Sequence, residues 1–182
     1  MKRKLIFSII AVVLVLLIGV GSTVAYLSSI AGPLDSTFTV GDVKLELAET
    51  KKGPYNLAPG VTIQKDPIVT VKRGSEACYL YIKLEWLGGL ESMVTYTLAD
   101  GWYNLGGVDG VYFRAVEEAA VDMRYHVLLD DMLVIRDDVT KEKLATLGNE
   151  DCALIVTAYA IQMQDMESAA DGWYNMLAAL EE

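Results

Sequence analysis

The chain has 182 residues, is 53% hydrophobic, and carries 25 acidic side chains against 15 basic ones, a net charge of −10. Every acid but only 12 of the bases follows residue 25, so no basic stripe is present to receive nucleic acid or anionic lipid. The single histidine, His126, leaves a zinc hydrolase or a Ser-His-Asp site short of residues, because such sites need several convergent ligands or a histidine base.

Lys2, Arg3 and Lys4 lead into an apolar run over residues 5–21, which the small residues Ser22, Thr23, Val24 and Ala25 close. A basic start, an apolar core and a small-residue end predict an export signal cut after Ala25, with Tyr26 as the new N-terminus. The 17 residues of the run would rise about 26 Å as a helix, short of the roughly 30 Å of a hydrocarbon core. The alternative is a retained transmembrane anchor, which would still leave the body outside. The organisation expected is a signal peptide over residues 1–25, a donor-strand or linker segment over 26–36, and one domain over 37–182. Membrane contact is then confined to residues 5–21 before cleavage.

The body reads mostly as strands. Val43, Leu45 and Leu47 alternate with Lys44 and Glu46, as in a half-buried strand. Residues 56–60 end in Pro59-Gly60 and predict a turn. Strands over 61–65 and 68–72 follow, with Pro67 marking an edge or bulge, and Arg73-Gly74-Ser75 turns the chain. Cys78, Leu80, Ile82, Leu84 and Trp86 share one face of a long strand, and Tyr79, Tyr81, Lys83 and Glu85 the other. Val94, Tyr96 and Leu98 predict a strand, and Asp109-Gly110 a tight turn before a strand over 111–116. Residues 125–129 and 132–135 flank Asp130-Asp131 and predict a hairpin. The last strand is expected over 152–163, with Leu154, Val156, Ala158 and Ala160 inward.

Two helices are expected. One is short, over 140–147. The other runs over 165–180, where Met166, Ala169, Ala170, Trp173, Met176, Leu177 and Leu180 follow a 3.6 period and Asp165 could cap the start. Gly172 works against it by about 1 kcal/mol. The pattern predicts a mainly all-β fold, an antiparallel β-sandwich with one C-terminal helix, preceded by the N-terminal signal or transmembrane helix.

Little catalytic chemistry is spelled out. Asp130-Asp131 and Asp137-Asp138 lack calcium-loop spacing, so solvated turns are expected, with weak Ca²⁺ binding by acidic loops as the alternative and no other cofactor. Cys78 and Cys152 each open a long strand in phase with its apolar residues. Two buried thiols and a disulfide both fit this placement. Two echoes stand out: residues 74–78 against 148–152, and Asp100-Gly101-Trp102-Tyr103-Asn104 against Asp171-Gly172-Trp173-Tyr174-Asn175. They fit a duplication or recurring turns.

The stretch Gly21-Ser22-Thr23-Val24-Ala25-Tyr26-Leu27, followed by Ser36-Thr37-Phe38-Thr39-Val40-Gly41-Asp42-Val43, resembles the TasA/camelysin family. Leu57-Ala58-Pro59-Gly60, Lys65-Asp66 and Tyr159-Ala160-Ile161-Gln162 are similar to later family segments. Ser28-Ser29 departs from the polar-acidic pair frequent there. The resemblance implies processing by a SipW-type signal peptidase, a jelly-roll-like sandwich, and secretion as a biofilm matrix fibre subunit. Its partners would be copies of itself and other matrix proteins. Strand donation is expected from residues 26–34, with Tyr26, Leu27 and Ile30 as anchors and Gly32-Pro33 as hinge. A membrane-anchored monomeric adhesin is an alternative. The metallopeptidase label of camelysin-like members finds no ligand set in these residues, and no enzyme is expected.

Overall fold

The computed structural model describes residues 36–40, 42–51, 55, 57–147 and 153–180. The signal segment, the cleavage pair Ala25 and Tyr26, and the donor anchors Leu27 and Ile30 lie outside these residues. Among the described residues no helix is long and apolar enough to cross a membrane.

Eleven described strands run in chain order: β1 (Ser36–Val40), β2 (Leu45–Ala48), β3 (Thr62–Gln64), β4 (Ile68–Val71), β5 (Cys78–Trp86), β6 (Val94–Leu98), β7 (Tyr103–Asn104), β8 (Val111–Val116), β9 (Met123–His126), β10 (Leu128–Ile135) and β11 (Leu154–Gln162). Among the described residues two α-helices, α1 (Lys141–Ala145) and α2 (Ala169–Leu180), and a 3-10 turn over Leu90–Met93 join them. The strands form a five-stranded sheet, β1-β11-β5-β8-β7, and two three-stranded sheets, β3-β10-β6 and β2-β4-β9. The fold is mainly all-β, with one C-terminal helix, as the alternation predicts. All strand pairs are antiparallel except one: β1 runs parallel to β11.

The long antiparallel ladder of β5 and β11, nine residue pairs, is the spine. Cys78, Leu80, Ile82 and Leu84 of β5 and Leu154, Val156, Ala158 and Ala160 of β11 face one core. Across it stand Leu47 and Val69 of the β2-β4-β9 sheet and Ile63, Leu133 and Ile135 of the β3-β10-β6 sheet. Full burial of one such side chain stabilises by about 1.5–3 kcal/mol. The opposite face of the spine carries Tyr81 and Ile161. Helix α2 covers it with Ala169, Trp173 and Met176, so the sandwich gains a third layer.

Three local expectations are corrected. Residues 125–135 are not a hairpin. Strand β9 ends at His126, and β10 runs unbroken through Asp130 and Asp131 in another sheet. Both aspartates take φ of 54°. Opposite β6 the pairing jumps from Leu128–Leu98 to Leu133–Tyr96, so five steps of β10 face two of β6. The Asp pair makes a large bulge where a reversal was expected. Asp165 does not cap α2: it sits at φ 65° in the preceding turn. Ser168 Oγ accepts from Asp171 N at 3.1 Å instead. The short helix is shorter than expected and is capped by Thr140, whose Oγ1 accepts from Lys143 N.

Candidate functional site

Three features of the fold concern function: a sheet edge, a sealed polar clasp and a stapled bulge. The edge is β1. Five register pairs, from Ser36–Thr157 to Val40–Ile161, hold it to β11. β1 stands at the end of the five-stranded order, and among the described residues no strand pairs with its other side; an edge of this kind is where an added strand can pair. Thr37 and Thr39 are exposed. Immediately after β1 the chain is pinned: Glu76 N donates to Asp42 O at 3.1 Å and Lys44 N to Ser75 Oγ at 3.0 Å. β1 is thus fixed behind, at an edge of the described sheet.

The clasp grows from strand parity. Val43, Leu47 and Glu49 point inward along one stretch, and Ile63 and Lys65 along another. Lys65 Nζ lies 3.0 Å from both carboxylate oxygens of Glu49, with each side chain 1% exposed. Tyr55 donates a longer bond of 3.4 Å to Glu49 Oε1. Burial pushes the Glu49 pKa up, and the Lys65 ammonium only partly offsets it. Next to Lys65, the Asp66 carboxylate accepts from Thr50 N at 3.0 Å, Lys51 N at 2.7 Å and the Thr50 hydroxyl. Burial opposes the Asp66 charge, but these donors outweigh it and hold its pKa below the usual carboxylate range. The Lys65 backbone N–H in turn donates to Asp131 O at 2.7 Å. An amine and a carboxylate closed off from solvent cannot exchange protons with a substrate. This pair fixes where two chain segments cross.

The bulge holds the histidine that ends β9. His126 Nδ1 lies 2.7 Å from Asp131 Oδ1, with half of the imidazole exposed. Trp102 Nε1 donates to His126 O at 2.8 Å. Beside it Thr95, Tyr96, Thr97, Leu129, Met132 and Val134 line a cavity of about 120 Å³, well below the size of an ordinary small-molecule pocket. The acidic turns are engaged as well: Arg136 holds Asp138 through Nε at 2.9 Å. Among the described residues no three His, Cys, Asp or Glu side chains converge as a metal site would require.

Cys78 is a free, fully buried thiol whose pKa burial pushes up to about 12. Cys152 lies outside the described residues. The spine's register nevertheless bears on a bridge between them. Cys78 stands opposite Gln162, and Leu154 stands opposite Trp86, eight residues further along β5. Eight strand residues span about 26 Å. Two residues of chain reach at most about 7 Å from Leu154, whereas a disulfide needs Cα atoms within about 7 Å. Chain connectivity therefore opposes a Cys78–Cys152 disulfide within one molecule.

Sequence reasoning missed the Glu49–Lys65 pair, though its signal was present. Each residue extends the inward parity of a strand, with opposite charge.

The chain matches no family model, no curated protein and no solved structure.

Proposed function

We propose that this chain is an exported structural subunit that assembles into extracellular fibres by donating its N-terminal segment to a neighbour. The observation that supports the proposal is the position of β1, which follows residues 26–34 in sequence and is an edge strand among the described residues. An extended segment adds to such an edge through main-chain hydrogen bonds, with alternate side chains giving specificity. Donation from one copy to the next is a head-to-tail contact, and an unclosed head-to-tail contact propagates as a filament. The resemblance of residues 21–43 to the TasA/camelysin family favours the same role. On this reading Ala25-Tyr26 is the processing point and Tyr26, Leu27 and Ile30 anchor the donated strand. The protein acts without catalysis outside the cell, alone or with other matrix proteins.

The test compares residues 26–182 with residues 35–182 by electron microscopy and sedimentation. The longer form should give fibres. The shorter should stay small and bind an added peptide of residues 26–34. Equal polymerisation of both forms would end the strand-donation reading.

A further inference from the structure

The two Asp-Gly-Trp-Tyr-Asn motifs sit in different backbones but solve the same problem. In each the tryptophan is buried, Trp102 at 8% and Trp173 at 3% exposure, and the tyrosine is exposed, Tyr103 at 64% and Tyr174 at 59%. In each the glycine makes room for a side chain from the sheet. Gly172 admits the Tyr81 hydroxyl. Gly101, at φ 87°, admits Arg114: a Cβ there would stand 2.5 Å from Arg114 Nη2 and 3.1 Å from Cζ.

Arg114 lies on β8. Its Cζ is 4.0 Å from the centre of the Tyr125 ring and 5.2 Å from that of Trp102. The aromatic faces hold the cation by its π surfaces, which leaves only the edges of the guanidinium for hydrogen bonding. Among the described residues those edges are unused. The guanidinium makes no hydrogen bond and no ion pair, and Nε is sealed from solvent with no acceptor. The terminal amino groups are not sealed in this way. Burial lowers the Arg114 pKa, so the site is short of solvation as well as of an anion. A partly desolvated cation without a counter-charge is unfavourable. With Nε sealed, a ligand from outside meets only the two terminal amino groups, and the group that matches that pair of N–H donors is a carboxylate, taken through charge-assisted bonds.

We propose that Arg114, caged by Trp102 and Tyr125 above the bare Cα of Gly101, receives a carboxylate from a second copy of this chain. The inference rests on the self-assembly reading and names one contact within it. Charge selects the occupant. A chain with 25 acids and 15 bases presents mostly carboxylates to its neighbour, and copies that repel one another need cations placed at their seams. The surroundings suit an interface: Tyr103, next to Trp102 in the chain, is among the exposed large hydrophobic side chains.

Sedimentation of the full chain, in the form cells deliver it, tests this across a salt series for wild type, Arg114→Met and Arg114→Lys, with thermal melting alongside. Arg114→Met should weaken self-association by about tenfold or more and flatten its salt dependence. Arg114→Lys, which keeps the charge but loses the fork, should fall between. Excess N-acetylglutamate should disperse wild-type assemblies without any mutation, which keeps the test valid if a variant fails to fold. Wild type that assembles, with Arg114→Met and N-acetylglutamate making no difference, overturns this inference and leaves strand donation standing. Wild type that stays monomeric at every concentration defeats both. Arginine-dependent binding of alginate, with unchanged self-association, would replace the neighbouring copy by a uronate polysaccharide and overturn the inference as stated.

Discussion

Gly172 lies against Tyr81 so closely that a Cβ at position 172 would stand 2.6 Å from the tyrosine oxygen, 3.1 Å from Ile161 Cγ2 and 3.3 Å from Tyr79 Cδ2. That oxygen cannot swing aside freely, because it donates to Ala169 O at 2.8 Å and is buried. Helix α2 therefore approaches the spine at a distance only glycine allows. Gly172→Ala gains about 1 kcal/mol of helix propensity and loses about 1–3 kcal/mol to overpacking. The expected outcome is net destabilisation, read as a lower urea midpoint. In a Tyr81→Phe background the same substitution should cost less, because the crowding atom is gone. Equal costs in the two backgrounds would show that α2 sits further out.

Removing one half of the Glu49–Lys65 pair should hurt more than removing both. Lys65→Met leaves a buried carboxylate without its partner, a loss on the order of 3–5 kcal/mol. Glu49→Leu combined with Lys65→Met replaces the pair with apolar volume and should recover much of that. Denaturant unfolding of the two singles and the double gives the coupling directly. Additive losses would mean the two charges do not depend on each other.

The two carboxylates of the clasp respond to acid in opposite senses. Asp66 has a folded pKa below its ordinary 3.8, so its contribution is present above that pH and is lost as pH falls through the folded value. Its exposure to solvent keeps the effect below about 1 kcal/mol. Glu49 has a folded pKa above its ordinary 4.5, so the fold loses stability as pH rises through that window. Asp66→Asn should flatten the fall in melting temperature below pH 3.8, while Glu49→Gln should flatten the change above pH 4.5. Asp122 and Asp138, also held low by hydrogen bonds and nearby cations, supply the acid dependence left in Asp66→Asn.

Cys78 should resist alkylation. A thiol fully buried and pushed up to about 12 presents almost no thiolate near neutral pH. Iodoacetamide on the native protein should leave Cys78 unmodified by peptide mass spectrometry, and denaturant should expose it. Rapid native labelling would mean that β5 opens at its first residue.

The spine was legible in the sequence because β5 and β11 each pack one face on the core, and a period of two shows through in Leu80, Ile82, Leu84, Val156, Ala158 and Ala160. The bulge in β10 was not, because Asp130-Asp131 carries the same chemistry whether the chain reverses or bulges. The outcome is decided by β6, which pairs with both Leu128 and Leu133. The direction of β1 was hidden for a related reason. Alternation looks the same in parallel and antiparallel strands, and its partner lies at the far end of the chain. The cap of α2 was misplaced because Asp165 and Ser168 both accept well at helix starts. Gly172 argued against a helix until the sheet beneath it gave the reason for its presence. Of the candidate interfaces, the Gly-Trp-Tyr echo pointed to Trp102, but nothing local announced Arg114, which arrives from another strand.

The parallel pairing of Ser36 with Thr157 also sets a clock. A chain made N-terminus first presents β1 more than a hundred residues before its own β11 exists. At synthesis rates of roughly 5–20 residues per second, the wait lasts several seconds or longer. During that interval the strand has no home partner, and whichever matching edge arrives first can claim it. Crowding of growing chains, more than affinity between finished molecules, would then govern how often chains close on themselves or thread into one another.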